Sequence, residues 1–144
     1  MAVYFTMIFF HILGATIWVG GFFFFIAVAM PKADNTVAYS LFKRFKWVAI
    51  SALIVQVLTG LHLAYTRLPS LEAWFAFQNP LSHAIVTKLA LLVVVVILGI
   101  DALVRVIPKL KTGAKKSVLV YLIVMNIISV LYIVVGVLFK KGGI

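Results

Sequence analysis

The stretch MAVYFTMIFFHILGATIWVGGFFFFIAVAM, residues 1–30, contains no Asp, Glu, Lys or Arg. A helix needs roughly 20 apolar residues to cross about 30 Å of hydrocarbon, so this stretch is long enough for one crossing. It differs from a removable signal peptide, which has a basic start and a shorter apolar core. We therefore expect the first membrane span over about residues 3–30.

Three further apolar blocks follow, at about residues 47–66, 81–107 and 118–139. The whole chain is 65% hydrophobic and 11% charged, whereas soluble domains are about half apolar and a quarter charged. Strands of membrane barrels are short and alternate polar with apolar residues, but residues 91–98 are apolar throughout. These patterns predict one domain over residues 1–144, an all-α integral membrane four-helix bundle.

Basic residues are concentrated between spans one and two and between spans three and four. Nine cations belong to these two regions, against three in the second loop and C-terminal tail, with Lys88 set aside. The positive-inside rule then predicts an up-down-up-down topology with both termini on the outer, periplasmic side of the inner (plasma) membrane. The net charge of +10 favours contact with anionic lipid headgroups. It does not indicate nucleic-acid binding, because the cations flank spans and form no separate basic domain.

Cysteine is absent from the chain, which excludes disulfides, thiolate metal sites, iron–sulfur clusters and a covalent c-type haem. A cofactor would need His, Met, Lys or oxygen ligands. Polar residues inside the spans are informative because hydrocarbon makes them costly. Asp101 and Arg105, four residues apart, are expected to form an ion pair. Interhelical hydrogen bonds are expected from three further residues, Gln56, Asn126 and Ser129.

His11 lies well inside the first span, on a helical face without bulky aliphatic side chains. By helical spacing this face consists of Met7, His11, Gly14, Trp18 and Gly21. Glycine lets another helix or a flat ligand approach closely. Two interpretations remain open: a buried histidine bonded to a neighbouring helix, or a cofactor ligand with Trp18 and Gly14 beside the cofactor.

His62 is expected at nearly the same depth as His11, because the second span runs antiparallel to the first. Two imidazoles on adjacent helices could ligate a b-type haem from both sides. His11 and His62 are therefore the predicted metal ligands, with a chance pairing as the alternative. His83 opens the third span. It is either an interfacial residue or an alternative ligand, a propionate partner or a proton relay.

Lys88 lies seven residues into the third span. A lysine at this depth either extends to the nearby surface or provides a cation for an anionic group such as a haem or porphyrin propionate. We include Lys88 and His83 among the candidate cofactor-binding residues.

The segment from His11 to Gly21, His-x6-Trp-Val-Gly-Gly, resembles the first span of CopD-domain membrane proteins. It also resembles that of HemJ-type protoporphyrinogen oxidases, four-helix haem-binding membrane proteins of similar length. Lys88-Leu89, opening a long aliphatic run, is similar to the Lys-Leu of the HemJ type. The HemJ resemblance implies functional roles for His11 and Lys88, and the CopD resemblance implies copper handling.

Three alternative functions are therefore open, with the first as the leading one. The first is a membrane b-type cytochrome with two histidine ligands, transferring electrons in the outer half of the membrane. The second is a haem-dependent oxidoreductase acting on protoporphyrinogen. The third is copper transport or handling, with copper held by four residues, Met7, His11, His62 and His83. Besides lipid, the expected partners are a quinone or redox partner protein and further copies of the chain.

Overall fold

The computed structural model describes the backbone of residues 1–140 and the side chains of residues 1–137, so Lys141 of the basic tail lies outside the described residues. Its helices are α1 (Ala2–Lys32), α2 (Asn35–Arg67), the short α3 (Leu71–Phe75), α4 (Pro80–Thr112) and α5 (Lys115–Lys140). The described chain contains no strand. All but α3 are long and apolar enough to cross a membrane. The predicted all-α four-helix membrane bundle is confirmed, and the chain is a multi-pass membrane protein.

Helix α2 begins at Asn35, well before the predicted start of the second span at residue 47. The side chain of Asp34 caps it by accepting a hydrogen bond from the Val37 N–H at 2.8 Å, which satisfies a donor that the first turn leaves unpaired. Lys43 and Lys46 therefore lie on the helix and not in a loop. They still flank one end of the bundle, called here the basic end.

Helices α1 and α4 each contain a π-helical turn near the basic end, Phe25–Ala29 and Ala102–Val106. Each turn ends two residues before a proline, Pro31 or Pro108. A proline cannot donate a backbone hydrogen bond, and its ring crowds the carbonyl four residues earlier. A local widening of the helix relieves this crowding. Both helices therefore continue beyond their prolines.

The four spans do not pack equally. Helix α1 packs along α2 and also contacts α5, while α4 packs along α5. Helices α2 and α4 make almost no close backbone contact along their α-helical spans; α2 instead meets the 3-10 segment Ile107–Thr112 at the end of α4. One side of the bundle, between α2 and α4, is therefore less tightly closed.

The interior changes character along the membrane normal. Near the basic end it is filled with aromatic rings from α1 and α2: Phe25 lies 5.1 Å from Phe42 and Phe22 lies 5.6 Å from Phe45, between ring centroids. Leu122 and Met125 of α5 are fully buried against this group. The other half of the bundle contains the polar side chains. Among the described residues, the buried polar side chains that lie outside this aromatic group are Gln56, Thr59, Ser82, Asn126 and Ser129.

Candidate functional site

The half-buried ring of His11 is attached to helix α2 through one nitrogen. Its Nδ1 lies 3.1 Å from the Gln56 carbonyl oxygen and 3.1 Å from Thr59 Oγ1. The Thr59 hydroxyl donates its own proton to the Val55 carbonyl at 2.6 Å. Because both neighbours of Nδ1 act as acceptors, Nδ1 carries the proton. In the neutral ring Nε2 then has the lone pair and can accept a proton or bind a metal.

Two glycines allow this close contact between α1 and α2. A Cβ atom at Gly60 would lie 3.0 Å from His11 Cε1, and one at Gly14 would lie 2.9 Å from the Ala52 carbonyl oxygen. Gly60 therefore leaves room for the imidazole. Gly14, which the sequence placed beside a cofactor, instead lets the backbone of α1 approach that of α2.

Trp18 connects α1 to α5 in the middle of the bundle. Its indole Nε1 donates to Ser129 Oγ at 3.1 Å, and the Ser129 hydroxyl donates to the Met125 carbonyl at 2.9 Å. Ser129 thus forms the predicted interhelical bond. Asn126 does not do so through its carbonyl oxygen: Oδ1 is buried without a partner among the described residues. The predicted ion pair between Asp101 and Arg105 is confirmed.

A small cavity of about 20 Å³ lies one turn from His11 towards the middle of the membrane. Its walls come from all four spans and include Trp18, Gln56, Ser129 and Tyr132. This volume suits one water-sized molecule. Tyr132 is a residue that the sequence did not single out, because a tyrosine in an apolar run does not show which way it faces.

Lys88 extends from α4 across the interior towards α5. Its Nζ lies 5.8 Å from the centroid of the Tyr132 ring and would be 3.1 Å from a Cβ atom at Gly136. The charge of Lys88 acts on His11, and the charge of Arg67, at the end of α2, acts on Lys88. His11, Lys88 and Arg67, which come from three helices at the end opposite the basic loops, are called here the His11 cluster, and Lys88 and Arg67 are its cations.

The other two histidines are not brought into this cluster. His62 is exposed on α2. Gly60 is the position of α2 that faces His11. His62 comes two residues later, and two residues of a helix rotate the side-chain direction by about 200°, so His62 faces away from His11. His83 is exposed at the start of α4, with its ring 5.3 Å from that of Phe77. Among the described residues, no group of three or more His, Cys, Asp or Glu could hold a metal ion.

Comparison of the chain with protein-family models, curated proteins and solved structures gives no match. The resemblance of His11–Gly21 and Lys88-Leu89 to the CopD and HemJ types therefore stays a prediction, and the function has to be inferred from the geometry of the cluster.

Proposed function

We propose that the protein is a membrane-embedded redox protein that binds haem b through His11, in the membrane half opposite the basic end. By the charge distribution this is the outer half of the inner membrane. The bond from His11 Nδ1–H to the Gln56 carbonyl supports the proposal most directly. Metal-binding histidines usually donate their second ring nitrogen to such an acceptor, which fixes the tautomer and makes the other nitrogen more basic.

The number of available ligands favours haem over copper. A porphyrin supplies four nitrogens to its iron and needs only one histidine from the protein, as in globins and peroxidases. A copper ion needs several protein ligands. Of the four residues expected around copper, His62 and His83 are exposed and directed elsewhere, which leaves His11 with Met7.

The fit to haem is partial. The imidazole of His11 would suit one axial position, and the charges of Lys88 and Arg67 would suit anionic propionates. The arrangement does not suit ligation by His11 and His62 of one bundle, because the two rings lie on different sides of α2. The 20 Å³ cavity is also too small for a porphyrin, since ligand pockets measure roughly 300–1,000 Å³. This cavity, which His11 does not line, is therefore not the proposed haem site.

Haem would supply a one-electron redox centre, and the residues of the chain would bind and orient it. Thr59 and the Gln56 carbonyl hold the imidazole proton on Nδ1. Lys88 provides a positive charge for a carboxylate, of haem itself or of a porphyrin substrate. Protoporphyrinogen oxidation therefore remains the second candidate, because it uses the same lysine. Turnover of protoporphyrinogen by the haem-loaded protein distinguishes it from electron transfer alone.

Absorption and spin-state spectra of the purified protein test the proposal. We expect stoichiometric haem with a single histidine ligand and a high-spin ferric signal. His11→Ala should lose most of the haem, whereas His62→Ala, on the other side of α2, should keep the parent spectrum. Equal loss in both variants would restore the two-histidine interpretation. A colourless protein that binds copper stoichiometrically would overturn the haem proposal.

A further inference from the structure

A second and larger space lies on the less tightly closed side of the bundle. This groove, of about 250 Å³, runs between α2 and α4 in the half near the basic end. Its floor is formed by Trp18, Phe22 and Phe42, and its sides include Ala49 and Val96. It adjoins the smaller cavity, since Trp18 and Leu53 line both spaces, but no residue of the His11 cluster lines it.

Among the residues that line the groove, Lys46 alone is charged. Its Nζ lies 4.9 Å from the centroid of the Trp47 ring, and Trp47 is 65% exposed. An exposed tryptophan beside a lysine at the end of a span marks the level of the lipid headgroups. From Lys46 to Leu53 the groove follows α2 for about 10 Å into the hydrocarbon. A cation at headgroup level is thus continuous with an apolar channel that extends towards the middle of the membrane.

We propose that this groove binds an anionic phospholipid from the leaflet at the basic end, with its phosphate at Lys46 and one acyl chain along the groove. An uncharged quinone would fill the apolar part but would make no use of the cation. The groove is accessible sideways from the bilayer, because α2 and α4 do not pack closely and Ile100, one of its lining residues, is 58% exposed.

Trp18 is a probe of the groove already present in the chain. In a Trp47→Phe background the fluorescence comes from Trp18 and Trp74. Trp74 is only 4% exposed and belongs to α3 at the other end of the bundle, so it gives a constant signal. Lipids with brominated acyl chains quench a tryptophan that they touch. Two kinds of phosphatidylcholine vesicle are compared. One contains brominated phosphatidylglycerol, and the other contains brominated phosphatidylcholine.

We expect half-maximal quenching of Trp18 at about fivefold lower content of brominated phosphatidylglycerol than of brominated phosphatidylcholine. This is the preference that roughly 1 kcal/mol per basic residue at the surface gives. Lys46→Met should remove this preference. Lys43→Met is the matched control, since it removes the same charge from the same helix at an exposed position outside the groove; it should keep the preference.

A second pair of variants tests the apolar part. Val96→Phe fills the groove and should reduce quenching by both lipids. Ile97→Phe adds a ring on the exposed side of the same helix and should leave quenching unchanged, with helicity compared in all variants. Equal quenching by the two lipids, or the same result for Lys43→Met and Lys46→Met, would overturn the proposal. An unchanged Trp18 signal in Val96→Phe would do so as well.

Discussion

At the scale of single residues, His11 and Lys88 have different relations to their neighbours. His11 is held in one orientation by two acceptors on α2, and the absence of a side chain at Gly60 leaves the space for its ring. Lys88 reaches across to Tyr132 and Gly136 on α5. The histidine ring is therefore held in one orientation, as the proposed ligand role requires, while the proposed role of Lys88 depends on its charge.

If the protein binds haem as proposed, removing the charge of Lys88 should lower the haem potential. Ferric haem carries one more positive charge than ferrous haem, so a nearby cation disfavours the ferric state and raises the potential. At a separation of about 10 Å and an effective dielectric of about 20, the interaction is roughly 1.7 kcal/mol, or about 70 mV for a one-electron couple. Redox titration of Lys88→Met should show a decrease of this order.

Lys111→Met is the control for that titration. The Lys111 ammonium lies 4.6 Å from the centroid of the Tyr39 ring at the basic end, a membrane half away from His11. Its removal should leave the potential unchanged because distance and salt screen its charge. A Lys88→Met potential equal to that of the parent, with full haem content, would place Lys88 outside the haem site.

At the scale of the helices, the α1–α2 pair is determined by small residues facing each other. Gly14 allows the backbone of α1 to approach the Ala52 carbonyl oxygen, whereas a Cβ atom at Gly20, on the same helix, would meet nothing within 4 Å. This pair positions His11 against Thr59. The two glycines therefore have different roles although both lie in the motif that resembles known families.

Gly14→Ala should destabilise the protein, whereas Gly20→Ala should not. The methyl group at position 14 would lie 2.9 Å from a backbone oxygen, so the helices must shift, at a cost of about 1–3 kcal/mol. At position 20 the substitution should be neutral or stabilising by up to about 1 kcal/mol, because alanine favours the helix over glycine. Thermal unfolding in detergent, followed by helicity, measures both. Equal stability of the two variants would contradict the close α1–α2 contact.

At the scale of the whole molecule, charge and polarity are separated along the bundle. Most of the basic residues lie at one end, next to an aromatic interior, and the His11 cluster lies in the other half. At the basic end the two loops are joined, since the Lys115 ammonium donates to the Ala33 carbonyl. The orientation of the bundle decides which leaflet contains each of the two proposed sites.

Reporter insertions should show the basic end in the cytoplasm. The short connections at Asp34 and Gly113 should give a cytoplasmic signal, and an insertion at Phe77, between α3 and α4, should give an external one. The physical reason is the excess of Lys and Arg around the first and third connections. The reverse pattern would move the haem proposal to the inner half of the membrane and the lipid groove to the outer leaflet.

Hydrophobic length by itself determined the number and type of the spanning helices, but not the short α3. Runs of about 20 apolar residues form helices in the membrane because hydrocarbon offers no hydrogen-bond partners, so the backbone N–H and C=O groups must bond within the helix. Local spacing was also sufficient for the Asp101–Arg105 pair. Helix α2 begins at Asn35, several turns before the apolar block predicted at residues 47–66. The first part of α2 is basic and lacks the apolar run that predicts a span. Asp34 can act as a helix cap only if a helix follows it, so this residue alone did not predict the start of α2.

Only the tertiary structure decided which polar residues meet. Depth along the span placed His11 and His62 at similar levels, but the rotation of α2 about its axis is set by packing of Gly14 on Ala52 and of Gly60 on the imidazole. That rotation turns His62 away and directs Thr59 towards His11. The groove between α2 and α4 likewise depends on how the spans are arranged around the bundle, which is not determined by the composition of any single helix.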